Sequence, residues 1–120
     1  MDFKTAIISA FNNFLNFEGR ASRPEYWWFA LFYLSVYIVA IIIDSVLGMG
    51  IVALLVSLGL LCPSLSVATR RLHDINKSGW WQLLYLIPLV GLAVMIYFLV
   101  QKGEEGANRF GPPPRASEEI

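Results

Sequence analysis

Charge is missing from three long stretches of this chain. Eighteen uncharged residues run from Tyr26 to Ile43, twenty-five from Ser45 to Thr69, and twenty-four from Ser78 to Gln101. As helices these runs would reach roughly 27, 37 and 36 Å, against a bilayer hydrocarbon core of about 30 Å. A charge at the centre of a span costs about 2.5–3.5 kcal/mol on insertion scales, so charges held to the boundaries mark crossings. Composition agrees. Of 120 residues, 57% are hydrophobic and 15% charged, where an ordinary soluble domain carries about 25% charged residues. A soluble chain this short would lack the polar surface to cover itself. A cleaved signal peptide does not account for the first run, which starts late and lacks a small-residue cleavage site.

The fold class that follows is an all-α membrane protein: three transmembrane helices in a small bundle plus an N-terminal amphipathic interfacial helix. The spans are expected at about 26–44, 50–70 and 79–101, within one domain of residues 22–102. Residues 1–17 are the amphipathic segment, too polar to cross. At 100° per residue Phe3, Ile7, Ile8, Phe11, Phe14 and Leu15 share one side, opposite Asp2, Thr5, Ser9, Asn12, Asn13 and Asn16. Its apolar side suits the membrane surface, the bundle, or both. Ser22-Arg23-Pro24-Glu25 reads as a helix start, with Ser22 as cap and Pro24 in the first turn. Tyr26-Trp27-Trp28 and Trp80-Trp81 suit the headgroup level. Gly48 and Gly50 loosen a short turn that makes the first two spans antiparallel neighbours. Pro63 removes a backbone donor and predicts a kink near Leu60. Residues 103–120, rich in Gly, Pro and Glu, read as an irregular tail, with an extended stretch at 112–114.

With three crossings, one face holds Lys4, Arg20, Arg23, Arg70, Arg71 and Lys77, and the other holds Lys102, Arg109 and Arg115. The excess places the N-terminus in the cytoplasm and the C-terminus outside. Pro88 and Gly91 interrupt the third run. Were that segment re-entrant, all nine basic residues would lie inside.

The candidate functional or topological cluster is Arg20, Arg23, Arg70, Arg71, His73, Asp74 and Ser78. If the second helix runs on through Arg70-Arg71-Leu72-His73-Asp74, Arg70 and Asp74 stand one turn apart and can pair. Cys62, Ser66, Thr69 or Arg70, and His73 would then form a polar line on one face. His73 is suited to respond to protons. The plainer reading is that Arg70 and Arg71 anchor a helix end at the headgroups while Asp74 and Asn76 turn the chain.

Catalysis has little to work with. One His and one Cys cannot supply the usual three or four metal ligands, so no metal and no cofactor is expected. His73 would be the sole base of a serine hydrolase, and no nucleophile elbow accompanies it. Cys62 lies inside a span, where a thiolate is poorly solvated. Spans without a central charge also argue against an ion-coupled pump. Net charge is zero, so nucleic acid is not an expected partner.

Four motifs in order carry a resemblance: Phe17 to Trp27 (FEGRASRPEYW), Arg70 to Asp74 (RRLHD), Ser78 to Trp81 (SGWW) and Gly106 to Gly111 (GANRFG). Over nearly the whole chain they resemble the bacterial inner-membrane family called domain of unknown function 805, the YhaH-like proteins. Asn76 stands where many members carry glycine, a change that turn preference tolerates. The resemblance implies a multi-pass protein of the bacterial inner membrane, and no assigned reaction. The function expected is a non-enzymatic membrane module acting through helix packing and association. Its partners are the lipid bilayer and either further copies of the chain or other membrane proteins. A rival is a small transporter or channel subunit whose polar path of Ser66, Thr69, Arg70 and His73 is assembled on oligomerisation. An enzyme using His73 and Asp74 stands third.

Overall fold

Ser22 begins the first long helix as its motif predicts. In a computed structural model that describes residues 2–113, the Ser22 hydroxyl accepts the Glu25 amide and Pro24 occupies the first turn of α2 (Arg23–Leu47). Twenty-five residues at 1.5 Å each give about 37 Å, enough to cross a hydrocarbon core. Gly48, at φ +67°, ends it. The chain reverses at once, because Asp44 reaches across the turn. Its two carboxylate oxygens accept the amides of Val52 at 3.0 Å and Ala53 at 2.9 Å. These are orphan donors of the next helix's first turn, satisfied from the preceding helix.

That next helix is interrupted where proline chemistry requires. It runs as α3 (Ile51–Gly59) and α4 (Leu61–Asp74) with Leu60 between them. Pro63 has no N–H for the Gly59 carbonyl, and its ring crowds that carbonyl. The path continues through Leu60, whose carbonyl accepts the Ser64 amide at 3.0 Å. Together α3 and α4 form a second helix long and apolar enough to cross a membrane.

Burial is inverted relative to a soluble protein. Val46 is 78% exposed and Leu47 60%, whereas Arg71 is 0% and Asp74 1% exposed. No residue of α3 is buried. An apolar exterior around a charged interior is what a lipid solvent selects.

The N-terminal helix α1 (Phe3–Asn12), capped by Asp2, packs on α2 and α4. Ala6 and Ala10, both 0% exposed, bring it close, and Phe3 and Phe11 set their rings edge-on against Trp28 and Phe29. Ile8, and Leu15 beyond the helix end, stay exposed. The helix ends at Asn12, short of the expected limit at residue 17. Asparagine side chains compete with the backbone there: Asn13 Nδ2 donates to the Ser9 carbonyl and Asn16 Nδ2 to Asn13 Oδ1.

The third uncharged run departs most from expectation. Rather than one helix over 79–101, it forms a 3₁₀ segment (Gly79–Leu86), a turn, and α5 (Val90–Val100). The two arms pack on each other. Both outer ends lie beside the last turns of α4. Gln82 Nε2 donates to Thr69 Oγ1 at 2.7 Å, and Arg71 Nε donates to the Leu99 carbonyl at 3.2 Å. The segment leaves and returns at one level, and each arm is about 16 Å long at 2.0 or 1.5 Å per residue. Pro88 breaks the helix, and Leu89 adopts φ +64°, ψ −60° with the Val90 amide bonded to the Pro88 carbonyl at 2.7 Å. That is a γ-turn of the rare, strained form. Gly91 makes the reversal possible: a Cβ there would stand 1.6 Å from the Leu84 carbonyl oxygen. Among the described residues this leaves two helices of spanning length, not three.

Candidate functional site

Apart from Asp44 at the α2–α3 turn, the buried charges collect at one end of the bundle, where α2 begins, α4 ends and the hairpin of 79–100 starts and finishes. Asp74 is their centre. Arg20 Nε donates to Asp74 Oδ1 at 3.0 Å, and Arg71 Nη1 donates to Oδ2 at 2.8 Å. All three side chains are 2% exposed or less. Beside them Arg70 Nη1 donates to Glu25 Oε2 at 2.8 Å. The pairing expected of Arg70 with Asp74 is replaced. The i,i+3 partner Arg71 and the distant Arg20 take Asp74, and Arg70 turns to α2. Three guanidiniums thus face two carboxylates.

Backbone carbonyls take up further donors of Arg20 and Arg71, and most come from the tail. Arg20 donates through Nη1 to Gly106 at 2.7 Å and Gly111 at 3.3 Å, and through Nη2 to Glu104. Arg71 Nη2 donates to Gln101. The Glu104 amide donates in turn to the Asp74 carbonyl at 2.8 Å. Gly103 is pressed so close that a Cβ would lie 1.9 Å from Asp74 Oδ2. The tail is irregular in secondary structure but docked through these bonds, and a bridge between Asn108 and Gly111 closes its own turn. Of the segment 103–120, residues 114–120 lie outside the described residues, as does the last proline of 112–114.

His73 belongs to the same seam. Its Nδ1 bonds the Gly19 carbonyl at 2.8 Å, so Nδ1 carries the proton and Nε2 of the neutral ring is an acceptor. Phe110 stacks on the ring, centroids 3.8 Å apart and planes 2° from parallel. Asn108 Nδ2 donates to the His73 carbonyl at 2.9 Å. His73 lies beyond the expected end of the second span.

Arg23 and Ser78 stand at the margin. Arg23 Nη1 donates to the Val100 carbonyl at 3.4 Å, and Ser78 Oγ accepts the Trp80 amide at the start of the 3₁₀ segment. Lys77 lies 5.5 Å from the Trp81 ring centroid and 5.1 Å from that of Phe98.

The turn after α4 explains Asn76. The Asn76 amide donates to the His73 carbonyl and the Lys77 amide to the Leu72 carbonyl, both at 2.9 Å, while Asn76 adopts φ +61°. This is a Schellman cap, whose left-handed position favours glycine and then asparagine. Asn76→Gly is expected to hold stability within about 1 kcal/mol, and Asn76→Val to lower it by about 1–2 kcal/mol. Thermal unfolding of the purified variants in one detergent checks the order; equal melting temperatures would remove this account.

Chemically the cluster is occupied with itself. Both carboxylates are engaged by arginines of the same chain. Among the described residues no three of His, Cys, Asp and Glu gather as a metal site. The polar line expected on α4 is divided among separate partners. Ser66 Oγ donates to the Asn13 carbonyl, Thr69 takes Gln82, His73 takes Gly19, and Cys62 is exposed. Missed from the residues alone were Glu25 as the ion partner of Arg70, Trp27 as donor to the Leu99 carbonyl at 3.1 Å, and Phe110 over His73. The only signal for Phe110 was its place in the fourth motif.

Residues 14–112 match the family described as "Protein of unknown function (DUF805)". The chain is 39% identical over 114 residues to the inner membrane protein YhaH of Escherichia coli (strain K12), covering 90% of this chain and 94% of that one. To the inner membrane protein YhaI of the same strain it is 37% identical over 110 residues, covering 90% and 93%. The uncharacterized protein YiiR of that strain is 29% identical over 102 residues, covering 81% and 67%. No solved structure matches.

Proposed function

We propose, from the premise that this chain belongs to the DUF805 family, that it is a non-enzymatic module of the bacterial inner membrane acting through helix packing and association. The carrying observation is that the charged side chains of the cluster turn inward and tie four segments together, while the apolar faces stay open. Arg20, Arg71 and Asp74 join the α1–α2 link, the end of α4 and the tail, and Arg70 joins α4 to Glu25 at the start of α2. In contrast, Leu54, Leu55 and Leu58 of α3 are 56–59% exposed, as is Val39 of α2 at 55%. Those faces meet lipid or another helix. The rival polar path is less well supported, since Ser66, Thr69, Arg70 and His73 each have a partner inside the chain.

The topology we propose has two crossings, α2 and α3–α4, with 79–100 as a re-entrant hairpin. Arg20, Arg23, Arg70, Arg71, Lys77, Lys102 and Arg109 then gather at one end, and the Gly48–Gly50 turn at the other carries no basic residue. Lys and Arg enrichment assigns the charged end to the cytoplasm, with the N-terminus and the tail both inside. This replaces an outside C-terminus. A reporter fused after residue 120 is expected to be active only as a cytoplasmic fusion; activity in its periplasmic form would reinstate a third crossing. Association is tested by crosslinking cysteines placed at Leu55 and Leu58 in native membranes with Cys62 replaced. Specific adducts are expected, and a chain that stays monomeric and partnerless would defeat the reading.

A further inference from the structure

A cleft of about 600 Å³ opens between α4 and the 3₁₀ segment, outside the ion cluster. Thr69, His73 and Ser78 line one part of it, and Phe17, Leu65 and Trp80 line another. Thr69 is the last residue of the second uncharged run and Ser78 the first of the third. The cleft therefore stands where hydrocarbon gives way to headgroups.

Its polar part sets two hydroxyl donors beside one acceptor, His73 Nε2. Thr69 Oγ1 accepts from Gln82 and Ser78 Oγ from the Trp80 amide, which leaves each hydroxyl hydrogen to donate elsewhere. Arg70, only 4% exposed, keeps Nε and Nη2 without a hydrogen-bond partner among the described residues. Open hydroxyl donors, with the under-bonded Arg70 guanidinium next in the chain to Thr69, call for an anion. A small soluble anion would leave Phe17, Leu65 and Trp80 uncovered, the last of these 78% exposed. A hydrocarbon chain alone would strand the donors.

We propose that this cleft binds one membrane phospholipid, its phosphate toward the Thr69 and Ser78 hydroxyls and the start of an acyl chain along Phe17, Leu65 and Trp80. The site rests on the end of α4 and its neighbouring 3₁₀ segment, and stands whether or not chains associate.

The test uses the full chain, delipidated in a non-ionic detergent, with binding read by native mass spectrometry. Titration with dioleoyl phosphatidylglycerol is expected to saturate at one lipid per chain. Dioleoylglycerol, which has the same chains and no phosphate, should be retained about tenfold less, as befits loss of hydrogen bonds to a charged group. Glycerol 3-phosphate should not be retained. Thr69→Val is expected to weaken the phospholipid about tenfold, by the same loss of a charge-assisted bond. Leu65→Trp, at a position 41% exposed and therefore tolerant, fills the apolar part and should also abolish the single bound lipid. Equal retention of both lipids, unsaturable uptake, or full binding in both variants would overturn the proposal. Saturable binding of glycerol 3-phosphate would overturn the membrane source of the anion.

Discussion

Replacing Asp74 with alanine should destabilise the protein by about 3–5 kcal/mol, the range for removing one partner of a buried ion pair. The reason is what remains. Arg20 and Arg71 are both fully buried at their side chains, and Asp74 is the carboxylate they share. Without it two guanidiniums stand together in a poorly solvated interior and repel. The tail loses its seat as well, because Gly103 packs directly on the Asp74 side chain. Asp74→Asn keeps the shape but not the charge, and should fall in the same direction by a smaller amount. Arg20→Met combined with Asp74→Ala should recover part of the loss, since one unpaired cation is then gone. Thermal unfolding in a single detergent, with yield from membranes as a second readout, measures all three. A surface control is Lys102→Ala, whose pair with Glu105 is 64% and 90% exposed at the side chains and should change little. If Asp74→Ala melted with the parent protein, the cluster would not be what holds these segments together.

How much of this could be read in advance divides by range along the chain. The Ser22 cap, the break at Leu60 before Pro63 and the turn tolerance of Asn76 depend on residues a few positions apart, where backbone chemistry alone decides. Each has its physical counterpart in the helix starts and stops. The Arg70–Asp74 pairing was a local inference too, and it fails because local geometry permits several partners. Spacing allowed i,i+4, but Asp74 has two oxygens and Arg20 comes from 54 residues away to take one. No periodicity reports such a contact. The same holds for Glu25, which looked complete as part of a helix start, and for the tail, whose Gly and Pro content described its secondary structure and not its docking. Carbonyls of Glu104, Gly106 and Gly111 act on Arg20 through the backbone, so side-chain identity carries little trace of them. The motif Gly106 to Gly111 marked the place without giving the reason. The reason is a chain bent tightly enough to aim carbonyls at one guanidinium.

Gly91 should tolerate no side chain, and the hairpin proposal depends on that. A Cβ at this position would meet the Leu84 carbonyl oxygen at 1.6 Å and its carbon at 2.6 Å, both backbone atoms in the opposing arm. A side-chain neighbour could rotate away, but this one can move only if the arms separate. Separation pulls Leu84 away from the core cluster of Leu72, Met95 and Leu99, each 1% exposed or less. Gly91→Ala is therefore expected to lose about 3 kcal/mol, the upper part of the range for overpacking, and Gly91→Val more. Gly59→Ala is the matching control. Nothing lies within 4 Å of its Cβ position, and it sits in the last turn of α3, so alanine should leave stability unchanged or raise it by up to about 1 kcal/mol. Helix propensity alone would make both substitutions favourable, since a single straight third helix would welcome alanine at residue 91. The sign of the Gly91→Ala effect in thermal unfolding thus separates the two architectures: a loss supports arms packed back to back, and a gain would mean that the third segment runs straight through the membrane.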